Sequence, residues 1–272
     1  MEQFMQCMTQ RRSVRTYDNK GISAEKLQLL REYADSLQNP FGVKVTFKFV
    51  STEEYGLSSP VIVGEKYYIL AVAPKCARME EAVGYSFEQL LLYAWSLGLG
   101  SVWIGGTMDR KLFEKTADLK EGERMPCVSP IGVAAPKMST REKLMRKGIK
   151  ADTRGAWSEL FFENDFSTPL KKEAVETIAP ALEMVRLAPS AVNRQPWRLV
   201  VQGDRVHFYE KPYKGMVSDA VGDMQRIDIG IAINHFMLAL AQSGMQADIL
   251  DEEPPVEKPA GLQYVITIKI EK

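Results

Sequence analysis

Two segments of the chain share one helical pattern, and this repeat constrains the fold more than any other feature of the sequence. Apolar residues recur at helical spacing along both EEAVGYSFEQLLLYAWSLG (80–98) and RIDIGIAINHFMLALAQSG (226–244). Each segment has an internal glycine and, fourteen residues later, a closing glycine: Gly84 and Gly98, and Gly230 and Gly244. A helix that is apolar around most of its circumference is usually buried, so we predict two equivalent helices in the core.

The elements around these two helices also correspond. Each half reads as helix, strand, strand, buried helix and strand, with helices over 24–36 and 171–187, early strands over 43–50 and within 198–210, and closing strands over 128–134 and 262–270. Chance similarity between amphipathic elements would also give this order, but the shared glycine register favours a duplication. We therefore predict an α+β protein in which a first half (1–137), a connector arm (138–168) and a second half (169–272) form one unit.

The composition argues against several classes of protein. Lys and Arg together number 35, as do Asp and Glu, so no overall basic field exists to bind nucleic acid or an anionic membrane. The three cysteines are far apart and odd in number, which predicts a reducing cytoplasm rather than a disulfide framework. The sequence does not open on a secretion-signal pattern, and no apolar run approaches the ~18 residues that span a bilayer. With His207 and His235 as the only histidines, we expect no histidine-rich metal site.

The segment RRSVRTY (11–17) concentrates three guanidinium groups and two small hydroxyl groups at the end of a predicted first helix. The planar fork of arginine suits phosphate oxygens, and serine can donate to a phosphate or a sugar hydroxyl. The plainer alternative is a solvated basic helix end that is stabilised by the helix dipole. The residues of this segment alone leave both interpretations open.

A second polar segment, LAPSAVNRQPW (187–197), lies where a helix should give way to a strand. Its two prolines restrict the backbone, so the polar side chains between them would point in fixed directions. Serine, asparagine and glutamine side chains can hydrogen-bond to the edge of a planar heterocycle. An ordinary helix-to-strand turn, capped by Ser190 and Asn193, remains the alternative.

Taken together, the two segments resemble a known family. RRSVRTY resembles the opening RRSxRxF/Y signature of the nitroreductases, and LAPSAVNRQPWRLVV resembles their APSxxNxQPWxF segment. EQLLLYAWSLGLGSVWIGG resembles their central helix and the loop after it, and TRGAWSELFF resembles their extended C-terminal arm. The resemblance covers most of the chain and is strongest to the double-length members called putative TM nitroreductases. It implies the nitroreductase-like fold, with two duplicated halves interlocked as an intramolecular pseudo-dimer, and FMN as the cofactor.

The resemblance implies roles for the basic residues of the first half and the connector. Arg11 and Arg154 would contact the FMN phosphate, with Arg12 beside them, and Lys150 competes with Arg154 for this assignment. Ser13 would reach the ribityl chain or the phosphate.

It also implies contacts to the flavin ring. Arg15 would lie near the pyrimidine end of the isoalloxazine, where its charge raises the reduction potential. The backbone of the loop after the central helix would approach the flavin N5 through Gly105 and Gly106. The second half would line the ring and the phosphate with Pro189, Ser190, Ala191 and Asn193.

The implied activity is that of an NADH- or NADPH-dependent oxidoreductase with no catalytic side chain. Hydride would pass through flavin N5 to an electron-poor small molecule such as a nitroaromatic or a quinone, in a partly apolar slot for which Trp103, Trp197 and Phe41 are candidates. A non-enzymatic flavin- or ligand-binding module descended from this family is the alternative. A specialised flavin reaction such as reductive dehalogenation also stays open.

In ordinary nitroreductases one chain supplies the RRS segment and the other supplies the PSxxN segment of each site. Here RRSVR occurs only in the first half and PSAVNRQPW only in the second. The first half's counterpart, DSLQNPF (35–41), lacks the first proline and the QPW end. We therefore expect one composite site and the loss of its symmetry mate. We also expect a monomer, because one chain contains both sides of the family interface.

Overall fold

A computed structural model describes residues 2–271 and contains two similar layered halves. The helices are α1 (Glu2–Gln10), α2 (Ala24–Ser36), α3 (Thr52–Tyr55), α4 (Met79–Ser96), α5 (Arg110–Ala117), α6 (Thr140–Gly148), α7 (Trp157–Leu160), α8 (Ala179–Leu187) and α9 (Met224–Gln242). The strands are β1 (Thr46–Ser51), β2 (Tyr67–Pro74), β3 (Gly100–Ser101), β4 (Glu123–Arg124), β5 (Val128–Gly132), β6 (Phe161–Glu163), β7 (Trp197–Gln202), β8 (Arg205–Glu210), β9 (Val217–Ser218), β10 (Gly222–Asp223), β11 (Ala247–Leu250) and β12 (Gln263–Ile270). Short 3-10 turns cover Lys172–Val175 and Ala191–Asn193.

The two main sheets have the same strand order. The first runs β1-β2-β5-β3, with β4 paired to β2, and the second runs β6-β7-β8-β12-β11. Strands β1, β2, β3 and β5 thus match β7, β8, β11 and β12, and α2 and α4 match α8 and α9. The α+β class and the duplication are confirmed.

The two matching central helices cross at their internal glycines. A Cβ placed on Gly84 would overlap the carbonyl oxygen of Ile227, and one placed on Gly230 would overlap the carbonyl oxygen of Glu81. Only glycine allows the backbones of α4 and α9 to approach this closely. Gly98 and Gly244 follow the helix ends with φ of 77° and 75°, the left-handed conformation common at a helix C-terminus. The internal glycines therefore allow the two halves to pack closely against each other through α4 and α9.

Most predicted elements are present, with shifted ends. The helix over 24–36 is confirmed at both ends, whereas the strand over 43–50 begins only at Thr46. The helix over 171–187 is wrong in its first part, because Lys172–Val175 is a 3-10 turn and the α-helix begins at Ala179. Pro180 accounts for this start, since proline has no amide hydrogen and is tolerated in the first turn of a helix but not in its interior.

The connector arm is not a plain linker. It contains α6, α7 and β6, and β6 pairs in parallel with β7, so it adds a strand to the second sheet. Helix α1, from the other end of the first half, packs its Cys7 and Met8 into the core of the second half. Between Glu2 and Glu271 no helix has both the length and the apolar character needed to cross a membrane.

Candidate functional site

The RRSVRTY segment runs in an extended conformation across the first half. Helix α1 ends just before it, and the amide of Val14 then donates to Ser101 O (2.9 Å) and that of Tyr17 to Val63 O (2.8 Å). Residues 13–17 therefore extend along β3 and the 61–64 loop. Val14 and Tyr17 are buried in the core of the first half.

Arg11 points inward, toward the crossing helices. Its side chain is only 4% exposed, and its Nε lies 3.5 Å from Oε1 of Glu88, which is fully buried on α4. The other carboxylate oxygen of Glu88 accepts from Trp103 Nε1 at 2.8 Å. Burial by itself would raise the pKa of Glu88, but the charge of Arg11 and the hydrogen bond from His235 outweigh it and lower that pKa.

His235 joins this buried group from α9. Its Nδ1 lies 3.0 Å from Met184 O and its Nε2 lies 3.1 Å from Glu88 Oε1. The carbonyl of Met184 can only accept, so Nδ1 donates to it, and Nε2 faces the carboxylate of Glu88. The arrangement joins α1, α4, α8 and α9 through charged groups in the core.

Arg12 and Arg15 meet the connector helix α6. Arg12 Nη1 lies 3.2 Å from Oε1 of Glu142, and Thr16 Oγ1 donates to Oε2 of the same carboxylate at 2.7 Å. Glu142 is buried, although it lies on a helix that is otherwise mostly exposed. Arg15 is buried as well, and burial lowers its pKa, with Glu142 acting in the opposite direction and Arg146 in the same one.

The connector also delivers Arg154 to this region. Its guanidinium group donates to Leu187 O at 3.1 and 3.3 Å and to Ala151 O at 3.0 Å. Burial lowers the pKa of Arg154, and the positive charges of Arg186 and Arg11 contribute in the same direction. Arg154 and Arg11 are therefore close enough to repel each other. Lys150, the competing candidate, is exposed.

The PSAVN loop is tied down by hydrogen bonds to its neighbours. Ser190 Oγ accepts from the amide of Gln195 at 2.9 Å, and Ala191 N donates to the carboxylate of Asp228 at 3.0 Å. Asn193 Nδ2 donates to Lys150 O (2.8 Å) and to Thr153 O (3.1 Å). The connector thus holds RRSVRT at one end and PSAVN at the other.

The backbone of this loop is strained. Val192, Asn193 and Gln195 have φ of 45°, 58° and 50°, in the left-handed region that favours glycine. Val192 is the unusual member, because it is β-branched and 52% exposed. Such conformations cost about 1–3 kcal/mol each and cluster at functional sites. The strain is an independent sign that this loop serves a purpose other than stability.

Gly105 and Gly106 lie beside the same part of α9 as the PSAVN loop. The carbonyl oxygen of Gly105 accepts from Arg110, and a Cβ on Gly105 would be 3.0 Å from Met224 Sδ. Met224 is one turn before Asp228 on α9, so the glycine loop and the PSAVN loop flank one face of this helix. A Cβ on Gly106 would meet nothing within 4 Å.

Several buried donors in this region are free. Among residues 2–271, Arg11 Nε and Nη2, Arg15 Nη1 and Ser101 Oγ are buried and have no hydrogen-bond partner, although Arg11 Nε forms an ion pair with Glu88. A buried donor without a partner is costly, at about 1–3 kcal/mol, so each one requires an explanation. Two guanidinium groups with free donors, beside a third at Arg154, suit an anion with several oxygens.

The structure corrects one expectation and explains another. Trp197 is fully buried in the core of the second half, so it cannot line an open slot, and that prediction is wrong. Trp103 and Phe41 are half-buried. In the first half's counterpart segment, Asn39 Nδ2 donates to Val43 O (2.7 Å) and to Ser86 Oγ (3.2 Å), so this asparagine serves its own loop.

The residues that sequence reasoning missed are acidic groups and one histidine: Glu88, Glu142, Asp228 and His235. Asp228 is buried on α9, and burial raises its pKa well above the usual range. A signal for three of them was present, since a charged or imidazole side chain inside an apolar helix requires a partner. Glu142 gave no such signal, because it lies on a polar helix.

Comparison with known proteins assigns this fold to a family. The model of a family described as putative TM nitroreductase matches residues 3–240. A putative nitroreductase from Thermotoga maritima superposes with a TM-score of 0.63 at 18% identity, over 98% of this chain and 93% of that one. An FMN-dependent nitroreductase from Clostridium difficile has a TM-score of 0.42 at 21% identity, over 54% of this chain and 96% of that one. None of the curated proteins matches the chain.

Proposed function

Because the chain belongs to the putative TM nitroreductase family, we propose that it is an FMN-dependent oxidoreductase. It transfers hydride from NADH or NADPH to an electron-poor small molecule such as a nitroaromatic or a quinone. The observation that carries this proposal is the pair of buried guanidinium groups with free donors, Arg11 and Arg15, in the RRSVRTY segment that the connector joins to the PSAVN loop.

The free donors fit the phosphate end of FMN. A phosphate carries about two negative charges and three acceptor oxygens, which matches the free donor at Arg11 Nη2 together with the positive charge of Arg154. Glu88 holds Arg11 by its Nε side, so the two Nη groups remain for the phosphate. Arg12 is paired with Glu142, so it contributes to this end through its charge and not through a direct bond.

The other residues would shape the ring site. When bound, the flavin supplies the hydride chemistry, and the protein supplies position and electrostatics. The charge of Arg15 favours electron density at the ring, and the strained loop from Pro189 to Asn193 holds its backbone against one face. Gly106 has room for a close backbone approach.

We further propose a cytoplasmic monomer that has a small molecule as its substrate and binds neither nucleic acid nor membrane. In this proposal residues 1–137 and 169–272 correspond to the two chains of an ordinary nitroreductase, and residues 138–168 form the arm that connects them. One FMN binds per chain, across the two halves.

Absorption spectroscopy of the purified protein tests the function directly. We expect a flavin spectrum that bleaches when NADH or NADPH is added without oxygen, and that returns when a quinone or a nitroaromatic is then added. A flavin spectrum that neither nicotinamide can bleach would favour a flavin-binding module without enzymatic activity. Failure to bind FMN at all would contradict the proposal.

A further inference from the structure

The crossing of α4 and α9 contains two buried polar pairs that the duplication makes equivalent. Four and five residues after its internal glycine, α4 has Glu88 and Gln89, and α9 has Asn234 and His235. One pair joins the helices where Glu88 Oε1 lies 3.1 Å from His235 Nε2. The other joins them where Asn234 Nδ2 donates to Gln89 Oε1 at 3.3 Å. The same two helix positions therefore meet twice, once on each side of the crossing.

The two pairs are also anchored in the same way. His235 Nδ1 lies 3.0 Å from the carbonyl oxygen of Met184 on α8, and Gln89 Nε2 donates to the hydroxyl group of Tyr33 on α2 at 3.1 Å. Met184 and Tyr33 each lie three residues before the last residue of their helix, so they are equivalent as well. The packing of one side is thus repeated on the other, but with a carboxylate and an imidazole in place of two amides.

The carboxylate lies on the side that has a buried arginine. Arg11 Nε is 3.5 Å from Glu88 Oε1, and both side chains are buried. Glu88 Oε2 accepts from Trp103 Nε1 at 2.8 Å. On the other side, no segment like RRSVRTY precedes α8 in the sequence. Among residues 2–271, Asn234 Oδ1 is buried without a hydrogen-bond partner. The charge is therefore present only where there is a guanidinium group for it to hold.

Stability does not account for this difference between the two sides. Burying an ion pair costs desolvation free energy, and neutral residues of similar volume are often as stable or more stable in its place. The side with Asn234 and Gln89 shows that this helix crossing packs with a neutral pair. The carboxylate of Glu88 is itself fixed by Trp103 and His235, so it can hold a guanidinium group in one orientation. The charged pair therefore serves the site on its own side.

We propose that Glu88 and His235 are positioning residues of the cofactor site. Glu88 holds Arg11 by its Nε so that the Nη groups meet the phosphate of FMN, and His235 acts through Glu88 by fixing the carboxylate. This inference rests on the proposed FMN-dependent function. Arg11 Nη2 is buried and has no hydrogen-bond partner in the part of the chain that the structure describes. A donor that is already in place binds its ligand more tightly, because it does not have to be ordered on binding.

The test gives this side the neutral pair of the other. The variant Glu88→Asn/His235→Gln has the amides that the fold already accommodates at the equivalent positions. We expect FMN binding to weaken about tenfold or more and riboflavin binding to stay nearly unchanged, because only FMN carries a phosphate. Fluorescence titration with each flavin measures the two affinities.

A second variant, Glu88→Gln, removes the charge with little change of volume and should have the same effect. Removal of a negative charge would by itself strengthen the binding of a phosphate. Weaker FMN binding therefore identifies the loss of position and not the loss of charge, and tighter FMN binding by Glu88→Gln would overturn the proposal.

Two controls separate positioning from general stability. Asn234→Ala changes the equivalent buried position on α9 and should leave the ratio of FMN affinity to riboflavin affinity unchanged. Adding Glu88→Gln to Arg11→Met should change this ratio no further, because Glu88 acts through Arg11. Equal weakening of both flavins by Glu88→Gln, or its full effect in the absence of Arg11, would overturn the proposal. Those results would leave the FMN-dependent function standing, whereas a chain that binds no flavin would contradict both.

Discussion

Replacing Gly84 by alanine tests whether the closeness of α4 and α9 holds the two halves together. A Cβ at this position would overlap the carbonyl oxygen of Ile227 and lie 3.0 Å from the amide nitrogen of Ile231. Both atoms are backbone atoms of a helix, so no side-chain rotation relieves the clash. The two helices must move apart along a contact that is buried on both sides.

The expected loss of stability, measured as the free energy of unfolding, is the difference between two opposing effects. Overpacking a well-filled core costs about 1–3 kcal/mol, and a clash with rigid backbone belongs at the upper end of that range. Alanine in place of glycine favours a helix by about 0.5–1 kcal/mol. We therefore expect Gly84→Ala to lower the free energy of unfolding by about 2 kcal/mol, and Gly230→Ala to act alike, because its Cβ would overlap Glu81 O.

Gly148→Ala is the matched control, since Gly148 ends helix α6 and a Cβ there would meet nothing within 4 Å. It should leave stability unchanged or raise it by up to about 1 kcal/mol. Urea unfolding of each variant measures the midpoint and the slope. The double variant Gly84→Ala/Gly230→Ala should cost less than the sum of the single variants, because one separation of the helices relieves both clashes. Equal stability of Gly84→Ala and Gly148→Ala would refute the reasoning.

Four further predictions concern the site and its charges. Arg11→Met should weaken FMN binding about tenfold or more yet leave riboflavin binding nearly unchanged, as measured by fluorescence titration; equal weakening would exclude a phosphate contact. Flavin absorbance should indicate one FMN per chain, lowered by Asn193→Ala but not by Asn39→Ala, and two per chain would mean that the counterpart site is intact. Burial, assisted by nearby carboxylates, raises the pKa of Glu210 from 4.5 to about 7, so its contribution to stability is lost as the pH rises through 7. Glu210→Gln should remove this dependence of stability on pH, which the pKa shift limits to at most ~3 kcal/mol. Urea unfolding recorded between pH 4.5 and 8 measures the effect. Val192→Gly should raise the thermal midpoint by relieving a φ of 45°, and a lower midpoint would show that the side chain packs.

The sequence could predict those parts of the fold that local sequence patterns specify. The spacing of Gly84 and Gly230 from the closing glycines identified the duplication, because close helix contact and helix ends both require glycine at set positions. The prediction of a helix over 171–187 was wrong in its first part, because it followed the apolar spacing and neglected Pro180, which cannot lie in the interior of a helix. The connector adds β6 to the second sheet by tertiary pairing. A strand of only three residues has no sequence pattern from which this pairing could be predicted.

The candidate site shows the same division. The motifs singled out the two segments of the candidate site, but they did not indicate how the side chains of these segments are paired. Arg11 and Arg12 are adjacent in sequence, yet one meets Glu88 on α4 and the other meets Glu142 on α6. Pairing of this kind depends on which elements pack together. Trp197 was misjudged for the same reason, since its motif says nothing about which face of β7 is buried.

The duplication explains why the two ends of this molecule differ. In a symmetric dimer every substitution occurs twice, so a site and its mate are kept or lost together. A single chain with two halves is free of this constraint, and here Asn39 has become a loop-stabilising residue while Asn193 joins the connector to the PSAVN loop.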